Sequence, residues 1–245
     1  MKILALSFSP REEGNTQLLL ERVLAGAGIR GAETELVRVA DKNIKPCDAC
    51  GACFRTGECL IRDDMQELGQ KMLQADGIIF GSPVYFYNIT AQGKIVIDRS
   101  IALSHQGKGL ANKVGGVVVV GGSLGLVDAV KDLYFYIVIH QMIPANFVAA
   151  YGSNKGDVKR LQKCLKAAEE LLRQQATRDA LTGLSNRHVL FAVLAGSIER
   201  SGAGLGRLSV LFVDLDDFKA VNDSYGHGVG DLVLIQAAQR IDAVA

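Results

Sequence analysis

Val114 to Val120 reads Val-Gly-Gly-Val-Val-Val-Val, a continuous run without one polar side chain. Runs of this kind form the central strands of parallel sheets, which are buried on both faces. Parallel neighbours cannot be joined by a tight turn, so each needs a crossover, usually helical. The chain supplies the parts. Lys2 to Leu6, Glu33 to Val39, Gly77 to Gly81 and Asn146 to Ala150 also read as strands. Gly14-Asn15-Thr16 opens one helical pattern, and Asp63, with Gln66 three residues on, caps another that runs to about Gln74. Ala91 to Leu103, Val127 to Ile139 and the amphipathic Asp157 to Gln175 complete the set. Five strands alternating with five helices predict an α/β fold, a five-stranded doubly wound parallel sheet covered on both faces. Ligands on such sheets sit at the carboxyl ends of the strands, near the point where strand order reverses. Three loops of unusual composition leave those ends: 7–16, 82–90 and 121–126.

After Gln175 the pattern changes, which places a boundary between a domain at 1–175 and a segment at 176–245. Leu181 to Arg187 is turn-rich, and Arg187 to about Ser201 is helical. A Gly-rich link follows, then a strand from Leu208 to Asp214, an aspartate-rich stretch and a final helix from about Gly230. The formal net charge of +1 lacks the basic excess that charge-driven nucleic-acid binding needs. Ile3 to Phe8 is too short for a signal-peptide core. Leu133 to Tyr151 has no formal charge, but His140, Gln141, Pro144 and Asn146 would break a spanning helix. It reads instead as a helix end, a turn at Pro144 and a buried strand. No membrane association and a cytoplasmic location are expected.

In the loop Ser7-Phe8-Ser9-Pro10-Arg11-Glu12-Glu13-Gly14-Asn15-Thr16, hydroxyls, an amide and backbone N–H groups converge on a helix N-terminus. The helix dipole there favours a phosphate, and Arg11 can add a charge-assisted bond. A βα turn with an ordinary cap is the plainer reading. The second loop, Ser82-Pro83-Val84-Tyr85-Phe86-Tyr87-Asn88, puts three aromatics after the third strand in a chain that is only 6% aromatic. That suits stacking around a planar ring, or else a local aromatic core. These loops, with Gly121 to Gly125, resemble the NADPH-dependent FMN reductase and iron–sulfur flavoprotein branch of the flavodoxin-like superfamily. The resemblance covers residues 1 to about 175. It implies that Ser7, Ser9, Arg11, Asn15 and Thr16 hold the FMN phosphate. It implies too that Pro83, Val84, Tyr85, Phe86, Tyr87 and Asn88, with Gly121, Gly122 and Ser123, surround the ribityl chain and isoalloxazine. NAD(P)H would dock over the flavin without a Rossmann domain of its own.

Four of the five cysteines are packed as Cys47-x2-Cys50-x2-Cys53-x5-Cys59. A cytoplasmic chain does not keep disulfides, so the choices are an iron–sulfur cluster, a structural zinc, or thiols without metal. In iron–sulfur flavoproteins, which this segment resembles, the compact motif holds a 4Fe–4S cluster that exchanges electrons with FMN. Cys164 falls on an apolar helix face and reads as a core residue.

Asp179-Ala180-Leu181-Thr182-Gly183-Leu184-Ser185-Asn186-Arg187 resembles the opening motif of GGDEF diguanylate cyclases. Leu211-Phe212-Val213-Asp214-Leu215-Asp216-Asp217-Phe218-Lys219, followed by Asn222-Asp223, Gly226-His227 and Gly230-Asp231, resembles their nucleotide half-site. The resemblance implies Asp214 as a Mg²⁺ ligand, Lys219 at phosphate, and Asn222 and Asp231 at guanine. The signature hairpin of that family is not in these residues. The segment is therefore read as an incomplete α+β GGDEF-type domain. GTP is expected to bind weakly if at all, with Mg²⁺ a cofactor only of the complete domain.

The function expected is an FMN-dependent oxidoreductase using NAD(P)H, with an iron–sulfur cluster. Alternatives are an electron-transfer iron–sulfur flavoprotein, or a redox-sensing input to a diguanylate cyclase. A small-molecule or protein electron acceptor and a homodimer or higher homo-oligomer complete the expectation.

Overall fold

The structure, a computed structural model, describes residues 1–105, 109–172, 179, 181–185, 190, 193–194, 197–198 and 209–243. The chain divides into two compact units, Met1–Arg173 and Gln174–Ala245.

In the first unit the strands are β1 (Lys2–Ser7), β2 (Glu33–Arg38), β3 (Gly77–Pro83), β4 (Val114–Gly121) and β5 (Ile143–Tyr151). They form one sheet in the order β2-β1-β3-β4-β5, and every pairing is parallel. This is the flavodoxin-like arrangement, with its order reversing at β1 and β3. The helices are α1 (Asn15–Gly28), α2 (Ala52–Thr56), α3 (Met65–Gln74), α4 (Ala91–Arg99), α5 (Leu126–Ile139) and α6 (Gln162–Glu170).

Side chains alternate across each strand, so both faces of a buried strand must be apolar. Leu4, Leu6 and Phe80 enter one core with Leu68 and Met72 of α3, Val96 of α4 and Leu133 of α5. Ile3, Ala5 and Ile79 enter the other, with Leu19, Leu20 and Val23 of α1 and with Ala168, Leu171 and Leu172. The apolar run of β4 serves both: Val117 and Val119 face the first core, Val118 and Val120 the second. At Gly26 of α1 an added Cβ would lie 2.1 Å from the Glu169 carbonyl oxygen, so the side-chain-free position lets α6 close on α1.

The structure differs from the sequence expectation at several places. The turn before β5 is made at His140–Gln141, with Gln141 left-handed at φ 54°, rather than at Pro144. Pro144 lies inside β5, an edge strand, where a missing N–H need not cost a ladder bond. The helix expected to reach Leu103 ends at Arg99 and tightens into a 3-10 segment, Ser100–His105. The expected helix from Asp157 begins as a 3-10 turn, Asp157–Arg160, and becomes α6 only at Gln162.

In the second unit, α7 (Phe218–Tyr225) packs on α8 (His227–Asp242). The final helix therefore starts three residues before Gly230. The expected strand at Leu208–Asp214 is not formed over 209–214. Among the described residues no second strand offers these positions a ladder, and an unpaired strand has no bonds to define it. Leu208, and most of the helix expected at 187–201, lie outside the described residues.

Candidate functional site

At the carboxyl end of β1 the chain turns sharply into α1. The Arg11 N–H donates to Ser9 Oγ at 3.2 Å, and the Gly14 N–H to the Arg11 carbonyl at 3.3 Å. Gly14 occupies the N-cap with no side-chain cap bond. The first-turn N–H groups of α1 are thus left without a capping side chain, which is the arrangement that receives an anion. Ser9, Arg11, Gly14, Asn15 and Thr16 line one wall of a cleft of about 230 Å³; Pro83, Val84 and Tyr85 line another. Val120, Gly122, Gly152 and Ser153 complete it. The cleft lies where β1 and β3 end, at the switch point.

The candidate residues do not all behave alike. Ser9 and Thr16 are buried at the cleft, and Arg11 is exposed, bonding the Ser153 carbonyl at 3.3 Å. Asn15 is committed elsewhere. Its Nδ2 donates to the Asn154 carbonyl at 2.8 Å and its Oδ1 accepts from the Gly156 N–H at 2.9 Å. Asn15 therefore ties down the loop after β5, while Asp157 accepts from the Ser153 and Asn154 N–H groups. That fourth loop was missed from sequence; its signal is Gly152-Ser153-Asn154 directly after a strand's carboxyl end. Ser7 is 1% exposed and its hydroxyl has no hydrogen-bond partner. Ser7 lies outside the cleft's lining, so its orphan hydroxyl sits behind the loop rather than in the cleft wall.

After β3 the chain makes a two-residue hairpin. Tyr85 donates to the Asn88 carbonyl at 2.8 Å and Asn88 to that of Tyr85 at 3.2 Å. Phe86 and Tyr87 between them are both left-handed, at φ 47° and 68°. Aromatic residues rarely adopt this conformation, which costs of order 1–3 kcal/mol per residue. Its supports are visible. Asn88 Nδ2 bonds Asp132 of α5 at 2.7 Å. Gly125, itself at φ 81°, abuts the hairpin so closely that a Cβ would lie 2.6 Å from Tyr87 Cα. Phe86 is 97% exposed, so it and Tyr87 stand at the cleft's rim rather than in its lining. Gly121, Ser123 and Asn88 also lie outside the lining. Beneath the site, Thr90 caps α4 through the Gly93 N–H and donates to the Phe8 carbonyl at 2.8 Å, joining the loops after β1 and β3.

The cysteine loop is held at its base. The Arg99 guanidinium donates to the Lys45 carbonyl at 2.7 Å, the Ile61 carbonyl at 3.2 Å and both carboxylate oxygens of Asp63. Cys47 and Cys50 are exposed, and Cys53 and Cys59 half-buried. Four thiols are the right kind and number of donors for an iron–sulfur cluster. As folded they do not gather: among the described residues no three Cys, His, Asp or Glu side chains come within metal-binding reach. In this conformation the loop does not fit a bound cluster.

In the second unit, Asp179 closes its own turn by accepting from the Thr182 N–H and hydroxyl at 2.8 and 2.7 Å. Those bonds hold its carboxyl below the usual value. Asn222 of α7 meets Gly230 of α8, where a Cβ would lie 2.0 Å from Asn222 Oδ1. Asn222 and the residue before Asp231 are thus neighbours, while Asp214 and Lys219 are exposed.

Residues 1–157 match the family model described as NADPH-dependent FMN reductase, and residues 176–245 that of the diguanylate cyclase GGDEF domain. An iron–sulfur flavoprotein of Methanocaldococcus jannaschii is 46% identical over 145 residues, 58% of this chain and 75% of that protein. One from Methanosarcina thermophila is 41% identical over 145 residues, 58% of this chain and 76% of that protein. Among solved structures, an NAD(P)H:quinone oxidoreductase from Methanothermobacter marburgensis superposes with a TM-score of 0.56 at 13% identity. It covers 71% of this chain and 98% of that one, a likeness of fold alone.

Proposed function

The chain belongs to the NADPH-dependent FMN reductase family through residues 1–157, and from that premise we propose that this flavodoxin-like FMN oxidoreductase takes its electrons from NAD(P)H. The observation that carries the reading is the uncapped N-terminus of α1, opening onto the same cleft as the β3 hairpin. An anionic end and a planar end of one ligand are both provided for. Ser9, Arg11, Thr16 and the first-turn N–H groups would hold the FMN phosphate. Tyr85, with Phe86 and Tyr87 at the rim, would flank the ring and limit water at it. FMN, when bound, supplies the two-electron chemistry; the protein supplies binding, orientation and electrostatics. The strained hairpin leaves the nicotinamide and the electron acceptor the same open approach, so the two would alternate there. Anaerobic protein should show flavin absorption and oxidise NADPH in the presence of a quinone. Flavin-loaded protein that neither NADPH nor NADH reduces would overturn this reading.

A second reading keeps the flavin and changes the partner: an electron-transfer protein with a 4Fe–4S cluster on Cys47, Cys50, Cys53 and Cys59. The compact spacing supports it, as do relatives named iron–sulfur flavoproteins. It requires the loop to rearrange. Iron and acid-labile sulfide after anaerobic reconstitution support it, and stoichiometric zinc or iron-free protein would exclude it. The GGDEF segment extends either reading to redox sensing, with Asp214, Lys219, Asn222 and Asp231 as a weak GTP half-site. For the apolar outer face of α5 the partner proposed is a second copy. Asp128 and Lys131 of one helix would meet Lys131 and Asp128 of the other across a two-fold axis.

A further inference from the structure

Residues 152–156 follow β5, and Gly152 and Ser153 line the cleft. The segment is tied from two directions. On its own side, the Gly152 N–H donates to the Gly121 carbonyl at 2.9 Å, which carries the β4–β5 pairing one step past Tyr151. Asp157 Oδ2 accepts from the Ser153 and Asn154 N–H groups at 3.0 and 2.8 Å. From the loop after β1, Asn15 reaches the Asn154 carbonyl at 2.8 Å and the Gly156 N–H at 2.9 Å. Arg11 donates to the Ser153 carbonyl at 3.3 Å, and Lys155 pairs with Glu13 at 3.0 Å. Asn15 is buried, so water does not compete for its two bonds. Arg11, Glu13 and Lys155 are exposed, and ties of that kind contribute little. Gly152 makes room for the buried tie, since a Cβ there would lie 2.8 Å from Asn15 Nδ2. These bonds converge on Ser153. Its backbone is held on both sides, N–H by Asp157 and carbonyl by Arg11. Its hydroxyl abuts the loop after β4, 3.3 Å from the place that a Cβ of Gly122 would take.

We propose that Ser153 is a further flavin-binding residue, whose hydroxyl meets the ribityl chain, and that Asn15 is the positioning residue that sets it there. The assignment rests on the flavin part of the function proposed above and not on the source of the electrons. Ser153 stands between Arg11, at the end of the cleft that receives an anion, and Gly122 of the loop after β4. The part of FMN next to its phosphate is a polyol. A serine hydroxyl both donates and accepts, which suits a chain of hydroxyls. Asn15 acts through the loop rather than at the phosphate, because its donor and its acceptor are already spent on Asn154 and Gly156.

The test is titration of the full chain, stripped of flavin, with FMN, riboflavin and lumiflavin, which has the ring but no ribityl chain. Ser153→Ala should weaken FMN and riboflavin by the same factor, about two- to tenfold for one net hydrogen bond, and leave lumiflavin unchanged. Asn15→Ala should weaken both by at least as much and speed amide exchange at 153–156. In the double variant the further loss from Ser153→Ala should vanish, because the hydroxyl is already misplaced; the mutant cycle reads this coupling. Gly152→Ala presses on Asn15 from the loop's side. It should show the same coupling to Ser153→Ala, and it decides the matter if Asn15→Ala does not fold. Unchanged riboflavin affinity in Ser153→Ala would overturn the proposal, as would an equal loss for lumiflavin. Losses that multiply fully in the cycle would overturn the positioning role of Asn15. Wild-type protein that binds none of the three flavins would end the flavin reading and this proposal together. Wild-type protein that binds FMN and riboflavin, with Ser153→Ala indistinguishable from it, would end this proposal alone.

Discussion

At Arg11 and Thr16 the site can tell a phosphorylated flavin from an unphosphorylated one. Both line the cleft at an uncapped helix N-terminus, and the loop after β5, to which Arg11 gives one exposed bond at Ser153, is secured mainly by Asn15. Charge-assisted hydrogen bonds are each worth about 1.5–3 kcal/mol. Arg11→Ala with Thr16→Ala should therefore weaken FMN binding by a few kcal/mol and riboflavin binding much less. Titration calorimetry with both ligands checks this, and equal losses would remove the phosphate assignment. Asp63 makes a different prediction. Burial pushes its carboxyl up, but Arg99 and the Lys45 and Met65 N–H groups outweigh this and hold it below the ordinary value. A carboxyl with a depressed folded pKa binds its proton more readily when unfolded. Its stabilisation is complete above the unfolded value of about 3.9 and is lost as pH falls through the folded one. Urea midpoints measured from pH 7 downward should fall more steeply for the wild type than for Asp63→Asn. That variant should already be weaker at neutral pH by about 3–5 kcal/mol.

At the scale of elements, the β3 hairpin and α5 both depart from what their own positions favour. Asn-Gly in place of Phe86-Tyr87 would meet the same turn without strain, because both residues tolerate positive φ. The double variant should gain up to a few kcal/mol of stability and lose reductase turnover; gain in both would mean that the aromatics do not serve the flavin. Helix α5 packs inward through Leu126, Ala129, Leu133, Tyr136 and Ile137, yet also exposes Val127, Phe135, Val138 and Ile139. A helix that exposes this much apolar surface outside its core face normally has a partner on it. Sedimentation velocity should find a dimer that Val138→Lys reduces to an FMN-binding monomer. A monomeric wild type would show that α5 does not pair copies.

For the molecule as a whole, the two units should differ in protection. Met1–Arg173 contains a five-stranded sheet between two cores, whereas 209–215 has no strand ladder among the described residues. Leu211 and Phe212 are 86% and 93% exposed. Backbone amides at 210–213 should exchange with deuterium on the fastest observable timescale, while those of β4 persist to global unfolding. Slow exchange at both would show that the segment is covered by something else. Among the described residues no helix is long and apolar enough to cross a membrane.

Sequence alone determined the α/β class, the approximate position of the five strands and three of the four loops around the cleft, because strand and helix periods are local properties of the chain. Gly121 to Gly125, the aromatics Tyr85, Phe86 and Tyr87 and the cysteine spacing were legible for the same reason. Their use was not. That Asn15 secures the loop after β5, that Phe86 and Tyr87 take a strained turn, and that Arg99 reaches from α4 to both ends of the cysteine loop are facts of contact between distant segments. Asp63 looked from its spacing to Gln66 like a helix cap, and it does accept from the Met65 N–H. Only the packing of α4 beside it made the same carboxylate half of a buried ion pair, because burial, unlike periodicity, is decided by what the rest of the chain brings alongside.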